Sequence, residues 1–300
     1  PLAHVQAPAA GSVVLAGILL KIGTYGFLRF SLPLLPDATV LCMPWLLWLS
    51  AAGIIYGALV SLAQNDMKKL IAYSSVSHMG FCMLGIFSIT PLGVSGGTLQ
   101  MINHGLSTGG LFALVGMLYD RYHTRQIGDF GGLARKLPLL ATMFVVFTFS
   151  SIGLPGLNGF AGEFLLLAGM FQRGWAEAPD FYSWQWRAIA VLSTFGVVLG
   201  AWYMLWLVQR VFFGPLREKE QHGHQAPVRD LSLREVLALA PLVVFMFWIG
   251  IKPEHFLAPM DNQLRLTAAG PTAQFDHHYL AAPLQRPATA SPPREFARVD

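Results

Sequence analysis

The chain has 300 residues, of which 54% are hydrophobic and only 12% charged, and its mean hydropathy is positive. That balance excludes an ordinary soluble domain and marks an integral membrane protein. A formal net charge of +4 suits a bilayer protein with basic loops and points to no nucleic-acid surface, so the expected surrounding is lipid.

In chain order, apolar runs of roughly 20 residues predict seven spans, at about 9–32, 40–64, 69–89, 92–118, 137–173, 187–213 and 231–251. The runs are long and continuous rather than short and alternating, which predicts an all-α polytopic membrane helix bundle and not a barrel. Only the connection 119–136 is long, and beyond Lys252 the composition turns to Pro, Ala and polar residues. Residues 253–300 are therefore predicted to be a disordered tail. The chain starts at Pro1 and carries no signal peptide, so it is expected to continue upstream. Cys42 and Cys82 lie in apolar runs without metal-like spacing and read as small core residues.

The fifth span is interrupted by Gly153-Leu154-Pro155-Gly156. Proline removes a backbone donor at mid-membrane depth, where freed carbonyls are tolerated only if they face protein or water. Seven residues after Gly156 comes Glu163, whose insertion costs about 2.5–3.5 kcal/mol and which is therefore expected to face the bundle interior. A broken helix beside a buried carboxylate suits a carrier of protons or cations. The competing reading is a packing kink with a paired structural acid.

Most loop cations, from Lys68 and Lys69 to Arg229 and Arg234, gather on one side of the membrane, against Arg29, Arg173, Arg187 and Lys252 on the other. The positive-inside rule makes the basic side cytoplasmic and puts the C-terminal tail opposite. Lys68, at a helix end on the basic side, is expected to be exposed. Lys21 fits neither side, because it sits deep within GSVVLAGILLKIGTYGFLRF.

Four ionisable residues thus fall inside the spans: Lys21, His78, His104 and Glu163. All can exchange protons near physiological pH, since burial and neighbouring charges move the pKa of amines and carboxylates, and histidine is already there. Gln100, Asn103, His104, Ser107 and Thr108 share one face of the fourth span, Ser74, Ser75, Ser77 and His78 crowd the third, and Gly17, Lys21, Thr24 and Tyr25 mark the first. Such stripes either bond neighbouring helices or line a proton path. Lys21, His104 and Glu163 are expected near one plane at mid-depth, mostly too far apart for direct hydrogen bonds. No phosphate loop, dinucleotide fingerprint, haem or iron–sulfur spacing is present, so no redox chemistry is expected in this chain. The pairs His222 with His224 and His277 with His278 read as solvated polar residues rather than a metal site.

Four stretches carry a family resemblance: HVQAPAAGSVVLAGILLKIGTYGFLRF (His4 to Phe30), DMKKLIAYSSVSHMG (Asp66 to Gly80), MINHGLSTGGLFALVGMLYDRYHTR (Met101 to Arg125) and IGLPGLNGFAGEF (Ile152 to Phe164). They resemble the subunit M, or chain 4, family of proton-pumping NADH–quinone oxidoreductase, respiratory complex I. Leu2 departs from the aspartate usual in that family. The resemblance implies an antiporter-like inverted-repeat fold, with residues 1–32 the last helix of a first repeat and its lead-in, 33–213 a second five-helix repeat, and 214–252 a cytoplasmic loop and final helix. It also implies roles: Lys21 the central-axis lysine, His104 the relay, Glu163 the acid on the broken helix at the exit side, and His78 a further histidine of the axis.

By the same resemblance this chain carries no cofactor, while NADH, FMN, iron–sulfur clusters and quinone are bound by other subunits. Its expected partners are the neighbouring antiporter-like subunits, and its expected location is the bacterial inner (plasma) membrane. Subunits of multisubunit cation/proton antiporters or membrane-bound hydrogenases resemble the same family, but they commonly carry lysine where this chain has Glu163. A structural membrane scaffold is the remaining alternative.

Overall fold

A short helix, Leu2–Gln6, leads into α1, Ala9–Leu34, which contains two π-helical turns at Leu15–Leu19 and Phe27–Ser31. The structure is a computed structural model, and it describes residues 1–176, 183–218 and 228–280. The chain then forms α2 (Pro36–Leu62), α3 (Met67–Phe87), α4 (Pro91–Tyr122), α5 (Pro138–Ser151), α6 (Asn158–Trp175), α7 (Ser183–Phe212), α8 (Leu233–Ile251) and α9 (Glu254–Phe275). The first four, α7 and α8 are each long and apolar enough to cross a membrane, while α5 is a shorter apolar helix separated from α6 by the break at residues 152–157. The protein is a multi-pass membrane protein of all-α class. Among the described residues there are no strands, only isolated bridges of Asp66 with Gln126 and Gly131 with Arg217.

Local chemistry explains where these helices start and stop. The Asp66 carboxylate accepts from the Lys68 and Lys69 amides at 2.8 and 3.1 Å, an N-cap worth about 1 kcal/mol. Thr90 caps α4 ahead of Pro91, whose fixed φ suits a first helical position, and His123 closes that helix in the left-handed conformation. Ser232 and Glu235 form a reciprocal capping box on α8.

The two helices at the centre are α3 and α4, with 78% and 72% of their apolar stretches buried, against 22% for α1 and 17% for α8. They approach without side chains between them. A Cβ on Gly85 would stand 2.7 Å from the Gly93 carbonyl and 2.9 Å from Gly97 Cα, while one on Gly97 would stand 2.8 Å from the Cys82 carbonyl.

Two apolar clusters occupy opposite ends of this centre. One takes Leu70, Ile71 and Ala72 of α3 with Leu111 to Leu118 of α4, and the other takes Phe81 to Phe87 of α3 with Val94 and Met101 of α4. Between them lies a polar layer of Ser74, Ser75, Ser77, His78, Asn103, His104, Ser107 and Thr108, all buried. The polar stripes of α3 and α4 thus occupy one slab, with apolar packing above and below, whereas Tyr25 of the α1 stripe is exposed.

The predicted disordered tail is corrected over its first part, because residues 254–275 form α9. Composition misleads here because tertiary anchors supply the order: Leu264, Thr267, Ala268 and Phe275 are buried, and α9 packs on α2 and α4. Residues 281–300 lie outside the described residues, as do His222 and His224. Cys82 is buried as expected, whereas Cys42 is exposed on the surface of α2.

Candidate functional site

Each of the four predicted residues comes from a different helix, and the structure brings all four together. Lys21 on α1 follows the π turn Leu15–Leu19, and its ammonium donates back to the Ala16 carbonyl. π turns of this kind recur at functional sites. Lys21 Nζ also lies 2.5 Å from His104 Nδ1 on α4. The contact is possible because α1 and α4 meet at glycines one turn away: a Cβ on Gly105 would stand 2.9 Å from the Gly17 carbonyl.

From His104 the line continues to His78 on α3, with ring centroids 5.5 Å apart, and His78 Nδ1 lies 3.5 Å from Glu163 Oε1 on α6. The order is Lys21, His104, His78, Glu163. Separations mostly too long for direct hydrogen bonds are expected from the sequence, and the exception is the Lys21 end, where contact with His104 is direct. The reason is backbone proximity between helices far apart in sequence, which hydropathy does not report. His78 is also the link between His104 and the acid, rather than an accessory.

The histidine and the acid are held by groups that bear on them from several helices. Ser151 Oγ and Tyr203 OH converge on His78 Nε2 at 3.3 and 3.4 Å, and Gln100 Nε2 donates to Glu163 Oε1 at 3.2 Å. Behind Gln100, the Asn103 amide donates to Gln100 Oε1 and to the Asn158 carbonyl, and Ser150 Oγ donates to Asn158 Oδ1 at 2.6 Å. Donor and acceptor roles at Nε2 follow the ring's tautomer, and the tautomer with its proton on Nδ1 is the one that turns an N–H toward the carboxylate.

The break between α5 and α6 is shaped for that carboxylate. Gly153 and Gly156 have φ of 72° and 92°, and a Cβ on Gly153 would stand 2.7 Å from Glu163 Oε2. The freed backbone is satisfied locally, as the Leu154 amide donates to the Phe149 carbonyl at 3.0 Å and the Leu157 amide to the Leu154 carbonyl at 3.1 Å.

Lys21 stands in a different setting. It lines an apolar cavity of about 910 Å³ between α1, α4, α8 and α9, with Ile18, Ile22, Met101, Leu242 and Leu264 among its walls.

Two charges are misplaced by sequence position. Lys68 is buried, donating from Nζ to the Ala7 carbonyl at 2.6 Å, and Arg173 is fully buried instead of lying in a loop. Tyr203, Ser151 and Asn158 were not singled out in sequence. The signal for Tyr203 is a hydroxyl within an otherwise apolar turn, and Asn158 and Ser151 flank the Gly-Pro break. Among the described residues no three His, Cys, Asp or Glu side chains could hold a metal, and His277 and His278 are exposed.

Residues 1–200 match the family described as NADH:quinone oxidoreductase/Mrp antiporter, transmembrane. The chain belongs to that family. Among relatives of the NADH:quinone oxidoreductase/Mrp family, subunit M of the NADH-quinone oxidoreductase of Rickettsia bellii (strain RML369-C) is 47% identical over 261 residues, covering 86% of this chain and 49% of the relative. NADH-ubiquinone oxidoreductase chain 4 of Marchantia polymorpha is 46% identical over 264 residues, covering 88% and 50%. The structure of respiratory complex I from Thermus thermophilus with bound NADH contains a chain with a TM-score of 0.75 at 35% identity, covering 88% of this chain and 52% of that one. This family member therefore spans about half the length of the curated relatives it matches.

Proposed function

We propose that the chain acts as part of a proton-translocating membrane subunit of NADH–quinone oxidoreductase, of the subunit M or chain 4 type. Lys21, His104, His78 and Glu163 are its proton pathway. The observation that carries the reading is the succession of these four groups, from Lys21 at a cavity edge through the buried histidines to Glu163, supported by the names of the relatives at 46–47% identity.

In this reading NADH oxidation and quinone reduction occur in other subunits, and this chain moves only protons. The Lys21 ammonium and the His104 imidazole share one hydrogen bond, along which the proton transfers before the lysine stem moves away to reload. The His104 and His78 rings, 5.5 Å apart between centroids and without a direct hydrogen bond, exchange the proton through a bridging water, and His78 Nδ1, 3.5 Å from Glu163 Oε1, passes it to the acid. Two cations on Lys21 and His104 repel, whereas a cation on His78 and an anion on Glu163 attract, so charging one end pushes the proton toward the other. Moving one charge against 100 mV requires about 2.3 kcal/mol, which a change in one close buried charge pair can supply.

The partners in this reading are neighbouring antiporter-like subunits, and the membrane is the bacterial inner membrane. Plant mitochondrial relatives make the mitochondrial inner membrane the alternative, which fractionation distinguishes. The deciding experiment compares Glu163→Gln and Glu163→Asp complexes in vesicles at equal assembly, measuring NADH oxidation and ΔpH. Glu163→Gln is expected to lose most of both and Glu163→Asp to keep part, whereas an unchanged Glu163→Gln rate would make the acid structural.

A further inference from the structure

Arg173 is fully buried on α6, and neither the stripe pattern nor the proton pathway uses it. Its Nε donates to the Ser88 carbonyl at 2.8 Å and its Nη2 to the Ile89 carbonyl at 2.7 Å. These carbonyls stand just past the end of α3, where a helix leaves acceptors unmet and its dipole favours a cation. The Phe275 ring of α9 covers the guanidinium at 3.9 Å, and Thr272 of α9 lies 3.4 Å from the same Ile89 carbonyl. A buried cation is tolerated only when it is bonded in this way.

The position of this clamp relates it to the pathway. Arg173 lies ten residues beyond Glu163 on α6, and Ser88 lies ten residues beyond His78 on α3. At helical rise both intervals are about 15 Å, so α3 and α6 are joined at two matched levels, one by the clamp and one by the His78–Glu163 contact. The break at residues 152–157 cuts α6 off from rigid continuity with α5, so its register is held by other helices: by α4, which it meets at Gly96 and Gly169, and, toward α3, by the Arg173 clamp. A forked guanidinium supplies one, because two hydrogen bonds in a plane fix both rotation and translation where a single ammonium would fix neither.

We infer that Arg173 is a positioning residue that sets the register of α6 against α3, and thereby the distance over which His78 and Glu163 exchange a proton. This inference rests on the proposed proton pathway. Around the His78–Glu163 pair stand Gln100 and His104 on α4, Ser151 on α5, Tyr203 on α7 and the buried Cys82 thiol on α3, with Lys21 of α1 one step further out against His104, while Arg187 of α7 donates to the Gly174 carbonyl and brings a second cation to the clamp end of α6.

The test uses the assembled complex in membrane vesicles, with Arg173→Met, Arg173→Lys, Phe275→Leu and Glu163→Gln made in parallel. NADH-driven ΔpH per electron is followed across a pH series. Arg173→Met is expected to lower pumping per electron about threefold or more and to move the pH of half-maximal pumping by about half a unit or more. Arg173→Lys keeps the charge but loses the fork, and is expected to show a smaller shift in the same direction, with Phe275→Leu between it and the unmodified complex. If Arg173→Met does not assemble, the other two variants carry the same comparison. Lower amplitude with an unmoved pH profile in all assembled variants would reduce Arg173 to a packing role and overturn the inference. If Glu163→Gln abolishes pumping while the Arg173 profiles stay put, only this inference falls. If Glu163→Gln pumps normally, the pathway and the inference fall together.

Discussion

The two ends of the buried axis are built differently. Glu163 sits in an enclosure made by α3, α4 and the broken helix, with Gln100, His78 and the Gly153 backbone pressed around the carboxylate. Lys21 has two contacts, the Ala16 carbonyl and His104, and otherwise stands at the edge of an apolar cavity. Over-determined geometry suits a fixed acceptor, and a flexible four-carbon stem with few ties suits a donor that moves. The difference teaches that burial alone does not define a transfer site, and that the number of helices bearing on a group decides how freely it can shift.

The strongest way to break this comparison is Lys21→Met, which removes the donor while leaving the enclosure intact. Proton pumping is expected to fall about tenfold or more in vesicles of assembled complex, and near-normal pumping would place proton entry elsewhere. Next comes Gly153→Ala, which forces a Cβ into a left-handed backbone and against Glu163 Oε2. A cost of about 1–3 kcal/mol and a severalfold loss of pumping are expected, read by thermal stability of the complex beside ΔpH. If pumping holds while stability drops, the enclosure is not needed for transfer.

Two smaller effects sharpen the picture. Tyr203→Phe removes one of two hydroxyls from His78 Nε2 and is expected to slow pumping about twofold to fivefold, with Ser151→Ala similar and the double variant worse than either. Equal single and double variants would mean that the hydroxyls do not act on the same nitrogen. Lys68→Met lies outside the axis and is expected to cost about 1 kcal/mol by leaving the half-buried Ala7 carbonyl without its donor, with pumping per electron unchanged. A change in pumping ratio would extend the pathway toward the basic side.

Much of this arrangement was legible in the sequence, for identifiable reasons. Spans are written in hydropathy, the break in Gly153 to Gly156, and the four titratable residues in their isolation among apolar neighbours. Their order and contacts were not legible, because these depend on Gly17 meeting Gly105 and Gly85 meeting Gly97, pairings that no local pattern reports. Lys68 and Arg173 were read as loop charges because they lie near helix ends, yet packing buries both. The helix α9 was hidden by a tail-like composition, since its order comes from contacts such as Phe275 on Arg173.

The bare backbone crossing of α3 and α4 limits how this bundle can change shape. Sliding α3 by one turn toward its C-terminal end, about 5.4 Å, would present Phe81 where Gly85 now stands, and the crossing has no room for a Cβ. The histidines carried by these two helices are therefore locked at one spacing. In the proposed function, a signal through this layer travels as a rearrangement of charge, hydrogen-bond direction and side-chain rotamer, with the pair as a stationary dielectric element and not a piston.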